Sequence, residues 1–205
     1  MIDLVLVYAL PVLLGVTLHE AAHGFAAKLL GDPTAYDLGR VSINPFRHID
    51  PVGTVVVPGL FLLASYLSSS SPFFFGWAKA VPISVLNLAR PARDTALIAI
   101  AGPAANLAMG SAFFLLAFLS EPTPFAIAGV QVNAALFLLN LLPILPLDGG
   151  RIVYGLLPVR LSFLYSKTEI LGFPILLALI LSGALGDLLL PLVRAAARLA
   201  SGTTL

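Results

Sequence analysis

Long apolar runs separated by short polar stretches set the rhythm of this 205-residue chain. A helix needs about 20 apolar residues to cross a bilayer, and five runs reach or approach that length: residues 3–30, 51–67, 94–119, 125–142 and 170–190. The first run closes on Lys28, Gly31, Asp32 and Pro33, with glycine past the end and proline just beyond. Asp50-Pro51 opens the second, with aspartate as cap and proline in the first turn. Between the second and third runs lies "PFFFGWAKAVPI", residues 72–83, where Gly76, Lys79 and Pro82 interrupt an aromatic stretch. Such a stretch suits a re-entrant or interfacial segment, or a short β-hairpin, around residues 72–84. Pro143 and Pro146 break the fourth run just before "LDGGR", residues 147–151. Arg194 and Arg198, four apart in "PLVRAAARLA", suit an amphipathic surface helix. The pattern predicts an all-α membrane protein: one multi-pass helical bundle of about five spans over residues 1–205, ending in a C-terminal span and tail over 158–205.

Composition agrees. Hydrophobic residues make up 59% of the chain, charged residues 10%, and mean hydropathy is +1.01. A soluble domain carries about 25% charged residues. The net charge of +1 gives no basic surface for nucleic acid, so the lipid bilayer is the expected partner and nucleic acid is not. With no cysteine, thiolate metal sites and disulfides are excluded. The start, Met1-Ile2-Asp3, lacks the basic residues of a signal peptide, so the first run is expected to be retained.

Positive charge orients membrane helices. Lys28, Arg40 and Arg47 follow the first run; Lys79, Arg90 and Arg93 lie between the second and third; Arg151, Arg160 and Lys167 follow the fourth. All nine face the cytoplasm if the region after the second run folds back into the cell membrane and returns, which puts the N-terminus outside. Arg194 and Arg198 fit this scheme poorly, because a single final span leaves them outside.

The first run carries "LHEAAH". His19 and His23, four apart, share one helix face, and Glu20 sits at its edge. Two imidazoles at that spacing can bind one metal ion, and the glutamate can reach a water in the metal's open position: the H-E-x-x-H arrangement of zinc metalloproteases. Zinc lowers the pKa of water and polarises a carbonyl, while Glu20 moves the proton. The rival view is two structural histidines matching by chance. In a lipid-embedded helix it loses ground, since ionisable groups are costly there and functional by default. A catalytic zinc needs a third protein ligand. Asp148 is the better candidate, placed after a proline-broken helix at similar depth, with Gly149-Gly150 to turn the chain. His48, in the polar loop "NPFRHID", reads as structural rather than as a ligand. Asn133 and Asn106 read as interhelical hydrogen-bonding groups, and Gly102, Ala105 and Gly110 as points of close helix approach.

These residues resemble a known family, the site-2 proteases, which are intramembrane zinc metalloproteases. The resemblance runs to about residue 157 and takes in "HEAAHGFAAKLLGD", "GRVSINPFRHIDPVGT", "FGWAKAVPI", "AGPAAN" and "NLLPILPLDGGR". It is to the short members, without PDZ or CBS domains. Ala80 departs from it, standing where the family usually has proline after "GWAK". The resemblance implies a catalytic core over about 1–157, one zinc on His19, His23 and Asp148, and Glu20 as catalytic acid/base. It further implies that Asn140 holds the substrate or the oxyanion, and that the segment near Gly76 presents an edge to an unwound substrate strand. The expected substrate is a transmembrane-helix protein, cut near the cytoplasmic side. Two alternatives use the same residues: a metal-binding membrane transporter, and a non-catalytic scaffold that binds membrane helices. Neither needs Glu20 as a base.

Overall fold

The computed structural model describes residues 2–56, 60 and 78–202, and among these every regular element is helical. Helix α1 (Ile2–Leu29) continues through Pro11. It closes as its sequence directs: Gly31 takes a φ of 104° and the Asp32 N–H reaches back to the Ala27 carbonyl at 2.9 Å, a glycine cap that satisfies the last carbonyls. A single turn, α2 (Thr34–Asp37), follows.

Helix α3 (Pro91–Leu119) starts with proline in its first turn, and Asp94 accepts the Arg90 N–H at 2.8 Å. Helix α4 (Pro124–Asn140) also opens on proline; the Thr123 hydroxyl caps the Ala126 N–H at 3.2 Å. Beyond Asn140 the chain breaks through Pro143 and Pro146, with a cis Leu145–Pro146 bond, into α5 (Asp148–Leu156). Then come α6 (Val159–Ser166), α7 (Glu169–Leu181) and α8 (Ala184–Ser201).

Helices α1, α3 and α4 pack on one another, α5 lies against α3, and α8 lies against α4. Small residues let these backbones approach closely. The Phe113 ring of α3 rests on Gly129 of α4, and Ala117, Ala126, Val130 and Ala200 fill the surrounding core. Large apolar side chains such as Phe25, Phe118, Leu119, Ile170 and Leu181 stay exposed.

Of the described helices, α3 is by itself long and apolar enough to cross a membrane; α6 and α7, bent by 58°, reach that length together. The fifth apolar run differs from its expected form. It is not one helix, because Ser182 and Gly183, with φ at 79°, separate α7 from α8. The tail belongs to α8, which buries Val193, Ala197 and Ala200 along one face and leaves most of its other residues exposed. Most of the run at 51–67, and residues 72–77 of the re-entrant or hairpin segment, lie outside the described residues. The described remainder, 78–84, has no regular structure and forms no strand.

Candidate metal centre

The spacing of His19 and His23 puts both imidazoles on the face of α1 that meets α3, their rings edge to face with centroids 4.6 Å apart. The approach is possible because α3 has glycine there. A Cβ on Gly102 would lie 2.6 Å from His19 Cε1 and 2.5 Å from His23 Cε1. Asp148 enters from the other side, as the first residue of α5. Gly149 and Gly150 let that helix start directly against the backbone of residues 141–145.

The three side chains meet. His19 Nε2 is 3.0 Å from His23 Nε2 and 3.1 Å from Asp148 Oδ2, and His23 Nε2 is 3.3 Å from Asp148 Oδ1. All three residues are buried, 7%, 7% and 8% exposed. The other ring nitrogens are committed elsewhere: His23 Nδ1 faces the Ile98 carbonyl at 2.8 Å, and His19 Nδ1 faces Asn106 Oδ1 at 2.7 Å. A carbonyl oxygen only accepts, so both Nδ1 atoms carry the proton and both Nε2 atoms turn lone pairs inward. Asp148 Oδ2 is buried with no hydrogen-bond donor, despite its nearness to His19. Acceptors converging without a donor repel one another unless a cation lies among them. Two nitrogens and a carboxylate are a zinc-type donor set that leaves a fourth position open. Among the described residues, these three are the group able to hold a metal ion.

A cavity of about 330 Å³ opens on this cluster. Glu20 lines it, with Oε2 accepting the Val81 N–H at 2.9 Å. Asn140 also lines it, with Nδ2 donating to the Leu136 carbonyl of its own helix at 2.9 Å. Gly76 lies outside the described residues. His48 is buried but away from the cluster, with Nε2 at 2.9 Å from the Ser42 carbonyl. Asn133 and Asn106 bridge α4, α3 and α1. An interhelical hydrogen bond contributes only about 0.6 kcal/mol in a membrane protein, so glue alone is a thin reason for two fully buried amides.

Ala78, Ala80, Val81 and Ile83 form one wall, and the chain from 79 to 87 is tied down along its length. The Lys79 N–H donates to the His48 carbonyl at 2.9 Å, and Arg40 Nη2 donates to the Lys79 carbonyl at 2.7 Å. Further along, Asp32 accepts from the Ser84 N–H at 2.6 Å and from Asn87 Nδ2 at 2.8 Å. Burial alone would raise the Asp32 carboxyl; the Thr34 hydroxyl, the Asn87 amide and the backbone N–H groups of Ser84 and Thr34 outweigh it and hold the carboxyl below its usual range. The roles of Val81 and Asp32 had no mark in the sequence, since Val81 acts through its own backbone N–H on Glu20, 61 residues away, and Asp32 acts on Ser84 and Asn87, 52 and 55 residues away.

Comparison with known proteins matches this sequence to a family. Residues 120–183, which include Asn140 and Asp148, match Peptidase family M50. The chain is 34% identical over 192 residues to "Putative zinc metalloprotease YwhC" of Bacillus subtilis, covering 87% of this chain and 82% of that protein. Two proteins of the same description, both Rip2, are 30% identical over 158 residues (Mycolicibacterium smegmatis) and 34% identical over 147 residues (Mycobacterium tuberculosis). The first match covers 73% of this chain and the second 67%, but the chain spans only 55% and 52% of those longer proteins. No solved structure matches. Similarity extending over most of this chain and most of a relative places the chain in peptidase family M50, the site-2 proteases.

Proposed function

We propose that this chain is a zinc-dependent endopeptidase that hydrolyses peptide bonds in transmembrane segments, with His19, His23 and Asp148 as metal ligands and Glu20 as catalytic acid/base. The observation that carries the reading is the buried convergence of His19 Nε2, His23 Nε2 and the Asp148 carboxylate at a cavity lined by Glu20. Bound there, zinc supplies Lewis-acid polarisation of the scissile carbonyl and a lowered pKa for water. Glu20 takes the proton from the attacking water and delivers it to the leaving amine. Its contact with the Val81 N–H holds the carboxylate at the cavity wall. Asn140 holds the substrate backbone or the developing oxyanion.

A transmembrane helix has its backbone groups paired and must unwind before it can be cut. The wall at 79–81 supports recognition of an unwound strand. Lys79 and Val81 turn their bonded groups toward α1 and its loop, and in an extended chain the intervening residue turns the other way. Ala80 lines the cavity, so its backbone is an edge on which a strand can pair. The family and the exposed apolar side chains support a multi-pass protein of about five spans in the cell membrane. Charge placement supports an active site toward the cytoplasmic side.

The test is cleavage of a single-span reporter protein in proteoliposomes, with zinc content measured beside it. Wild type should carry one zinc and cleave; a chelator should abolish cleavage and zinc should restore it. His23→Ala and Asp148→Ala should lose the metal, and Glu20→Gln should keep the metal and lose cleavage. A wild type that binds no zinc sinks the reading. Glu20→Gln with full function would favour a transporter or scaffold.

A further inference from the structure

We propose that Asn106 is a positioning residue: oriented by Asn133 and the Gly15 carbonyl, it fixes His19 as the Nδ1–H tautomer and aims the Nε2 lone pair at the metal position. The inference rests on the metal-site reading above and adds a residue to it.

The argument is one of donors and acceptors. Asn106 and Asn133 are both fully buried, at 0% exposure, so water cannot complete their bonding. A side-chain amide offers two N–H bonds on nitrogen and acceptor capacity on oxygen. Asn106 Nδ2 uses its two on the Gly15 carbonyl at 3.1 Å and on Asn133 Oδ1 at 3.2 Å. Asn133 Nδ2 donates to the Gly129 carbonyl at 2.9 Å. Oxygen is therefore what Asn106 presents to His19 Nδ1, 2.7 Å away. Turning the Asn106 amide over would set its oxygen against the Gly15 carbonyl. Turning Asn133 with it would add a second clash at the Gly129 carbonyl. Backbone carbonyls cannot flip, so two of them, on α1 and α4, set the polarity of the whole relay. His23 obtains the same result directly from the Ile98 carbonyl. Among the described residues no backbone carbonyl bonds His19 Nδ1, and the asparagine supplies the acceptor.

A partner of this kind on a metal-ligating histidine fixes both tautomer and ring orientation, and its removal costs about ten- to a hundredfold in metal affinity. Asn106→Leu removes the acceptor. Asn106→Asp keeps an oxygen for His19 but sets its other oxygen against the Gly15 carbonyl and Asn133 Oδ1, so it should melt at a lower temperature while keeping the acceptor.

The experiment is a titration of the metal-free, detergent-purified full chain with zinc alone against a chromophoric chelator. It is run beside the visible spectrum of the cobalt-loaded form and the melting temperature of the metal-free form. His19→Ala should lose zinc. Asn106→Leu should bind zinc about ten- to a hundredfold more weakly than wild type, with shifted cobalt bands. Asn106→Asp should recover most of that affinity. Wild-type affinity and cobalt bands in Asn106→Leu, with zinc lost in His19→Ala, would overturn the inference and leave the metal site standing. So would an equal loss in Leu and Asp variants that tracks a lower metal-free melting temperature, since that is the behaviour of packing glue. A wild type without zinc would instead fail the metal-site reading itself. Should Asn106→Leu not fold, Asn133→Leu carries the test: weaker zinc binding supports the relay and unchanged binding overturns it.

Discussion

Glu20 on α1 accepts the backbone N–H of Val81 at 2.9 Å, a contact that reaches across 61 residues of sequence. The group proposed to move the proton is thereby held by the wall beside which substrate would lie. Its donor is a main-chain N–H, so it survives most side-chain substitutions but not proline. Val81→Pro should lower the turnover of a reporter substrate by about ten- to a hundredfold, the size of a lost hydrogen bond to a charged group, about 1.5–3 kcal/mol. Zinc content should stay at the wild-type level. Turnover equal to wild type would show that Glu20 needs no tether.

Gly102 makes a sharper prediction for the metal itself. A methyl group there would collide with both imidazole rings, neither of which can retreat without leaving its Nδ1 partner. Gly102→Ala should fold with normal helix content by circular dichroism, yet lose most of its zinc by elemental analysis. Full zinc occupancy would mean that α1 and α3 can separate more freely than their packing implies.

On the opposite side, Gly172 of α7 lies against the loop that leads into Asp148. A Cβ would overlap the Leu145 carbonyl oxygen and approach its carbon to 2.7 Å. Backbone cannot swing aside as a side-chain tip can. Overpacking of this kind costs about 1–3 kcal/mol or more, so Gly172→Ala should melt at a lower temperature and cleave more slowly. An unchanged melting temperature would show that α7 slides at little cost.

Acid should release the wall. The Asp32 carboxyl is held below its usual range by the groups that bond to it. A carboxyl with a lowered folded-state pKa stabilises above its unfolded-state pKa, about 3.9, and that stabilisation is lost as pH falls through the folded-state value. Amide exchange at residues 84–88 should accordingly be constant from neutral pH to about pH 4 once corrected for intrinsic rates, and rise below it. In Asp32→Asn the protection should be lower at neutral pH and lack the acid step. An acid step of the same size in that variant would assign it to another group.

Much of this arrangement was legible in the sequence, for local reasons. The end of α1 follows from its glycine stop and the break after α4 from Pro143 and Pro146, signals that act within a turn of where they stand. The histidine pair needs only the helical repeat, and Asp148 could be paired with it because depth in a membrane constrains distant elements. The break at Ser182–Gly183 was not legible. One glycine inside an apolar run does not distinguish a tolerated helical position from a left-handed one; the packing of α8 on α4 decides it. The same limit hid the Asn106 partnership. Asn106 read as glue between helices, and glue it is, but which atom faces His19 depends on carbonyls of two other helices. Asp32 read as part of a helix stop, and its second job depends on the Ser84 N–H, 52 residues away.

The bare backbone at Gly102 makes the thickness of an imidazole ring the spacer between α1 and α3 at the site. A spacer made by the ligands themselves cannot be exchanged for a longer or shorter side chain to adjust the gap. Helix spacing and metal geometry are in this place one quantity. Whatever alters how those two helices press together, from a distant core substitution to the thickness of the surrounding lipid, is transmitted to the ligands without an intermediary.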